Sequence, residues 1–379
     1  MAIDLAVLGP AAVPDEVLAS MVADSWGATA ATLLTVEAEE FPYDVPAMTT
    51  EGRFVVSGAA MVDGAERAFA FFVKHIREWS RSPEFAYVPA ELREWARTTV
   101  PWRTEAEVYS SDLAERLPAG FTMPDVLRVQ TIDDLSYAVW LDLVDADPVE
   151  WDVERYRQAA RLLGRFAASR GVRAVAARVS HEFRMSTYAD GRLRNGVLPI
   201  LHSDVWDHPL LAADFADLRE PMRAAADDLD AIAAELSTLP PLAAHGDACP
   251  NNLLVRPDGS GFTLIDFGYF RTLPVGFDIG QLLIGDVQIG KRSADDLELR
   301  AGVIVEAYAA GLAEEGEPVA VDVIERAHAL QLALFSGLPA LPVELLDREP
   351  DAALQALVAA RARIARYSLR LLDETMSHG

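Results

Sequence analysis

Cysteine occurs once in 379 residues, at Cys249, which excludes an internal disulfide and favours a reducing compartment. Basic charge is in deficit: 33 Lys and Arg stand against 59 Asp and Glu, a formal net charge of −26. Such a field repels nucleic acid and anionic membrane surfaces and attracts cationic ligands, although it also serves solubility alone. No apolar run approaches the roughly eighteen residues of a membrane span. Met1 to Leu5 carry no positive charge, and the apolar run that follows stops at Pro10, so no secretory leader is expected and the expected location is cytoplasmic. Internal repeats and low-complexity linkers are also missing. What the chain does have is hydrophobic residues, 51% of the total and spread along its length, enough for two or three compact units with a sizeable core.

The stretch richest in chemistry is His245-Gly246-Asp247-Ala248-Cys249-Pro250-Asn251-Asn252, followed by Leu264-Ile265-Asp266-Phe267-Gly268. An Asp five residues before an Asn, then an apolar run ending in Asp-Phe-Gly, is the spacing of a kinase catalytic loop and its metal-binding aspartate. Phosphoryl transfer needs a hydroxyl aimed at the γ-phosphate and cations bridging the phosphates. In that chemistry Asp247 accepts or orients the hydroxyl proton. Asn252 offers a neutral amide oxygen and Asp266 a carboxylate to Mg²⁺, which prefers oxygen ligands. Asn252 to Val255 and Phe262 to Ile265 flank Pro257-Asp258-Gly259-Ser260-Gly261, which predicts two short strands joined by a turn that sets Asn252 beside Asp266.

Gly246 stands where protein kinases carry Arg, no Ala-Pro-Glu follows the Asp-Phe-Gly, and the chain runs on into Val275-Gly276-Phe277-Asp278-Ile279-Gly280. On these motifs the chain resembles the aminoglycoside phosphotransferase and choline kinase-like superfamily of small-molecule kinases, over roughly residues 50 to 340. The resemblance implies an α+β, two-lobed protein-kinase-like fold. Residues 1–144 would form a small β-sheet lobe, and residues 145–379 a mainly helical lobe. It implies ATP, with GTP not excluded, and Mg²⁺ in the cleft. The partner would be a small hydroxyl-bearing molecule: a cationic aminoglycoside or aminosugar, or alternatively a neutral sugar or a choline-like or nucleoside-like metabolite. A catalytically silent nucleotide-binding scaffold is the alternative of another class. It also implies that Asp278 braces the catalytic loop through backbone N–H groups and that His245 supports the loop near Asp266. Nucleic acid and membrane are not expected partners, and the oligomeric state is left open.

Taken in order, Pro14 to Val22 predicts a short helix ending near Gly27. Ala31 to Glu37, Arg53 to Ser57 and Ala68 to Lys74 predict three antiparallel strands. Lys74 ends an apolar strand, the place of the phosphate-binding lysine in the kinase pattern. Pro101 to Tyr109 opens a helix that runs towards Leu117-Pro118, from which either Glu105 or Glu107 can reach Lys74; the resemblance, with a Glu four residues before an aromatic, favours Glu105 before Tyr109. No Gly-x-Gly-x-x-Gly lies between the first two strands, where Phe41 to Pro46 and Thr49 to Gly52 form the connection. Ser136 to Val144 reads as an edge strand leading to a hinge at Leu141 to Val144, whose backbone would meet the adenine, with Asp145 to Pro148 breaking the strand.

Val153, Tyr156, Ala160, Leu163 and Ala167 predict an amphipathic packing helix. Met185 to Leu211 reads as irregular; its His202, Asp204, Asp207 and His208 match no zinc spacing and suit substrate contact or solvent. By resemblance, the helical segment Asp214 to Leu239 closes over the acceptor, making Asp204, Asp207, Asp214 and Asp217 candidates for holding a cationic substrate. Helices are predicted at Asp295 to Gly311, Asp322 to Phe335 and Asp351 to Leu372. Arg361, Arg363, Arg366 and Arg370 in the last are expected to pair with acidic neighbours.

Overall fold

The computed structural model describes residues 4–43, 47–146, 149–179 and 184–376. Asp44 to Pro46 of the expected first connection and Asp147-Pro148 of the strand breaker lie outside the described residues. The first lobe is built on helix α1 (Asp15–Ser25) and five strands, β1 (Ala31–Glu40), β2 (Thr50–Val62), β3 (Ala65–Arg77), β5 (Val126–Asp133) and β6 (Ser136–Asp142), in the antiparallel order β1-β2-β3-β6-β5. A two-residue strand β4 (Phe121–Thr122) belongs to another sheet.

Strand alternation decides what reaches the cleft. Phe69, Phe71 and Val73 of β3 pack with Phe54, Val56 and Trp140 against α1 and the N-terminal Leu5 and Leu8. Ile76, Val139 and Leu141 face the other way and join the core of the second lobe. Lys74, in phase with Ile76, therefore leaves the inner face of the sheet. The expected edge strand is not an edge: β6 sits between β3 and β5. The edge on that side is β5, which sequence reasoning missed because Arg128, Gln130 and Asp133 interrupt its apolar residues, a composition suited to an exposed edge.

The second lobe starts with α3 (Val153–Ala168), after a short helix α2 (Thr104–Tyr109) that links back to the first. Asp152 caps α3 by accepting from the Arg155 N–H at 2.9 Å. A Cβ at Gly164 would sit 2.2 Å from the Tyr308 carbonyl oxygen, and one at Gly311 would sit 2.0 Å from that of Arg161. These two glycines let α3 touch a later helix, α5 (Leu297–Glu314), backbone to backbone. The expected helix from Pro101 to Leu117 is broken after Tyr109, with a separate turn at Leu113–Arg116.

Met185 to Leu211 is not irregular but a run of short helical turns, pinned by Leu193, Leu201, Trp206 and Leu211 in a second core. Asp214 to Leu239 holds two helices, Arg219–Asp227 and Leu229–Leu236. The stretch from His245 to Asn252 lies between β7 (Pro241–Ala244) and the hairpin β8 (Leu253–Val255) and β9 (Phe262–Leu264), in which Leu253 pairs with Leu264 as the spacing predicts. Next come β10 (Arg271–Pro274), paired with β7, and α4 (Phe277–Gln288). The sequence hid α4 because residues on all its sides are buried, so it lacks an amphipathic period.

Helices α6 (Val321–Leu332) and α7 (Ala352–Met376) close the lobe. On α7, Arg361, Arg363, Arg366 and Arg370 pair with Glu344, Asp295, Asp217 and Glu298 as expected. Among the described residues no helix is long and apolar enough to cross a membrane.

Candidate active site

Lys74 joins the two lobes. Its Nζ lies 2.6 Å from Glu105 Oε2 on α2 and 3.0 Å from Asp266 Oδ1 after β9. Of the two glutamates open to it from sequence, Glu105 makes the pair. Tyr109, one helical turn beyond Glu105, packs edge-on against Phe267 at 5.8 Å, so a single face of α2 holds both the ion pair and the residue after Asp266. Burial opposes charge on Lys74, but Asp266 and Glu105 outweigh it and raise the ammonium above its ordinary range. Burial also pushes the Glu105 carboxyl up, to about 7, against the pull of Lys74. Asp266 is likewise penalised by burial, yet Lys74 and Arg53 hold it below the usual carboxylate range.

The loop carrying Asp247 is fixed from behind. The N–H groups of His245 and Gly246 each donate to Asp278 at 2.8 Å. His245 Nε2 meets the Ile265 carbonyl at 3.0 Å, and its Nδ1 accepts from the Asp247 N–H at 3.4 Å. Those partners assign a neutral ring protonated on Nε2, and burial pushes its pKa down to about 4. Gly246 has φ +84°, and a Cβ there would meet the Tyr269 carbonyl oxygen at 2.2 Å. The glycine of the motif is thus demanded by how closely the loop crosses residue 269.

Asn252 Nδ2 donates to the Asp247 carbonyl at 2.9 Å and to Asp247 Oδ2 at 3.0 Å. With the amide nitrogen committed, the amide oxygen is the atom left to a ligand. Asp266 sits in the left-handed region at φ 62°, ψ 63°, a conformation costing a non-glycine residue roughly 1–2 kcal/mol and concentrated at functional sites. A carboxylate and a neutral amide oxygen flanking one hairpin suit a hard divalent cation. Burial, then the charge of Asp266, push the Asp247 carboxyl up to about 7 against the Asn252 hydrogen bond. Burial also raises Asp278, to about 6, against the two N–H groups it accepts from.

The other sequence candidates are dispersed. Leu141 is buried on β6, and Val144 is half-buried in the connector that leaves it; the Leu143 N–H donates to the Ala70 carbonyl at 3.0 Å. Asp204 and Asp207 are exposed, with Asp207 3.9 Å from Arg219. Asp217 is engaged by Arg366 at 2.6 Å, and the same Arg donates to the Asp214 carbonyl. Among the described residues no hydrogen bond or ion pair ties these four acids to Asp247 or Asp266. Among the described residues no three His, Cys, Asp or Glu side chains form a metal-holding group, the loop at His202 to His208 included.

Sequence reasoning missed Arg53, which pairs with Lys74 in register on β2, and Tyr43, whose hydroxyl lies 3.5 Å from Asn251 Nδ2. Only the strand register, absent from a linear motif, singles out Arg53.

A family model described as the phosphotransferase enzyme family matches residues 81–313, more than half of the chain. No curated protein matches it in sequence. Similar solved structures include a spectinomycin phosphotransferase in complex with ADP and spectinomycin, at 10% identity over 91% of this chain and 94% of that one, with a TM-score of 0.46. An aminoglycoside phosphotransferase from Alicyclobacillus acidocaldarius subsp. acidocaldarius is 17% identical over 85% of this chain and 91% of that one, with a TM-score of 0.48. An amicoumacin kinase in complex with AMP-PNP, Ca²⁺ and Ami is 13% identical over 93% of this chain and 94% of that one, with a TM-score of 0.47. The family match covers the helix bearing Glu105 and the whole stretch from His245 to Asp278, and by it this chain belongs to the phosphotransferase enzyme family.

Proposed function

We propose that this phosphotransferase is a small-molecule kinase, moving the γ-phosphoryl group of Mg·ATP to a hydroxyl of its acceptor. The observation that carries the reading is Lys74 bridging Glu105 and Asp266 across the lobes, next to Asp247 and Asn252. Asp247 accepts or orients the acceptor's proton, and its raised pKa suits a base working near neutrality. Asn252 and Asp266 hold Mg²⁺, which when bound neutralises charge on the phosphates. Lys74, positioned by Glu105, binds the α- and β-phosphates. His245 keeps the loop in place from Ile265, and the backbone from Leu141 to Val144 receives the base, a mode of recognition that GTP can share. On this reading residues 1–144 cover the nucleotide and residues 145–379 supply the chemistry.

The charge of −26 supports a cationic acceptor such as an aminoglycoside or aminosugar, with Asp204 and Asp207 as its exposed candidate contacts. The test is ADP release from Mg·ATP by purified protein with aminoglycosides, aminosugars, neutral sugars or choline, using Asp266→Ala as the control. Stimulation by the cationic class, lost in the control, is the expected result. Stimulation by neutral sugars alone would keep the kinase and refute the cationic acceptor.

A further inference from the structure

The chain has two lysines, Lys74 and Lys291, and both lie at the same cleft. Lys291 follows α4, and its ammonium donates to Asn251 Oδ1 at 2.7 Å, inside the catalytic loop. Opposite it, Arg53 is the register partner of Lys74, so their side chains leave one face of the sheet with Cβ atoms about 5 Å apart. Tyr43, from the connection between β1 and β2, stands between the two cations. The Arg53 guanidinium is 4.3 Å from the centre of its ring, Lys291 Nζ is 5.1 Å away, and Asn251 reaches the hydroxyl. This group therefore spans from the small-lobe sheet to the catalytic loop, where a glycine-rich loop is absent.

Acids outnumber bases 59 to 33 in this chain, and Lys74, close by, has two carboxylates. Arg53 and Lys291 form no ion pair with a carboxylate among the described residues; what holds them is an aromatic face and an amide oxygen. A cation–π contact at such a site is weak, about 0.5–1 kcal/mol, so either cation exchanges it readily for an anion. Charge-assisted bonds to phosphate oxygens are stronger, and Arg offers its planar fork where Lys offers a point charge. Arg53 also faces the reacting centre: its charge helps hold Asp266 down, and Asp266 and Asp247 both act on Tyr43.

The geometry points to a polyphosphate clamp in which Arg53 and Lys291, spaced by the Tyr43 ring, bind the terminal phosphates of the nucleotide with side chains in place of glycine-loop amides. The inference rests on the Mg·ATP reading above and deepens it by naming how the phosphates are covered. The test is calorimetric titration of the wild type, Arg53→Gln and Lys291→Gln with ATP and with AMP, in Mg²⁺. Loss of one charge-assisted contact is expected to weaken ATP roughly 10- to 100-fold in each variant and to leave AMP within about twofold, so the preference for ATP over AMP collapses. Lys291→Arg should recover most of that preference. Unchanged ATP affinity in both variants overturns the clamp, as does equal weakening of ATP and AMP. A wild type that binds neither nucleotide defeats the underlying Mg·ATP reading instead, and the wild-type titration alone tells the two failures apart.

Discussion

Replacing Asp247 with Asn should make the ligand-free protein more stable while disabling it. In the folded chain burial and Asp266 lift the Asp247 carboxyl from 3.8 to about 7, so between those pH values the native state binds a proton that the unfolded chain has released. Stability therefore falls as pH rises through this window. At about 1.4 kcal/mol per pH unit the full penalty above pH 7 has a ceiling of about 4 kcal/mol. Asp247 is partly open to solvent, which reduces the effective penalty to roughly 1–3 kcal/mol. Asn is isosteric, and its amide oxygen still accepts from Asn252, so the variant removes the charge and keeps the contact. For a chain of 379 residues the gain corresponds to a rise in Tm of roughly 1–4 °C. Differential scanning calorimetry of both proteins from pH 4 to pH 8 measures it, and turnover should fall roughly 10²–10⁴-fold. A gain largest at pH 8 and vanishing near pH 4 is expected. An Asn variant less stable at pH 8, or a gain independent of pH, would refute the electrostatic account of this loop.

Gly246→Ala should destabilise the protein by more than the roughly 1–3 kcal/mol of an unfavourable backbone region, because its Cβ would overlap the Tyr269 carbonyl oxygen; a thermal melt equal to wild type would count against the described path of the loop. Lys74→Met strands the buried Glu105 and the Asp266 carboxylate without their cation, a loss of roughly 3–5 kcal/mol. Adding Glu105→Gln to that variant should recover part of the loss in a denaturant titration, and strict additivity of the two substitutions would show that the residues do not act as a pair.

The grouping of the candidate site was legible because most of it is local in sequence. Asp247 and Asn252 share one loop, Asp266 follows one hairpin, and their spacing alone marks them as one candidate group before any fold is known. Lys74 and Glu105 needed one further inference, that a lysine in an apolar strand meets a helix with Glu105 and Tyr109 on one face; the structure joins them at 2.6 Å, with the strand running on past Lys74 to Arg77 rather than ending there. Contacts set by strand register or by the tertiary fold were not legible: Arg53 is separated from its register partner Lys74 by a whole hairpin, and Lys291 from Tyr43 by most of the chain. The acids of the segment before the Asp247 loop show the opposite difficulty. Their charge reads as a ligand surface, yet Asp217 answers Arg366 of the last helix, an ion pair that only the tertiary fold reveals. Helix α4 and strand β5 escaped for simpler reasons, the one being apolar on every side and the other polar along an edge.

The measurement that bears most directly on the central claim is calorimetric titration of the wild type and of Asp266→Ala with ATP, with Mg²⁺ present and then chelated. Saturable ATP binding that requires Mg²⁺ in the wild type, and loses that requirement together with most of its affinity in the variant, is the predicted result. ATP binding of equal strength with and without Mg²⁺, unaffected by the loss of Asp266, would contradict it.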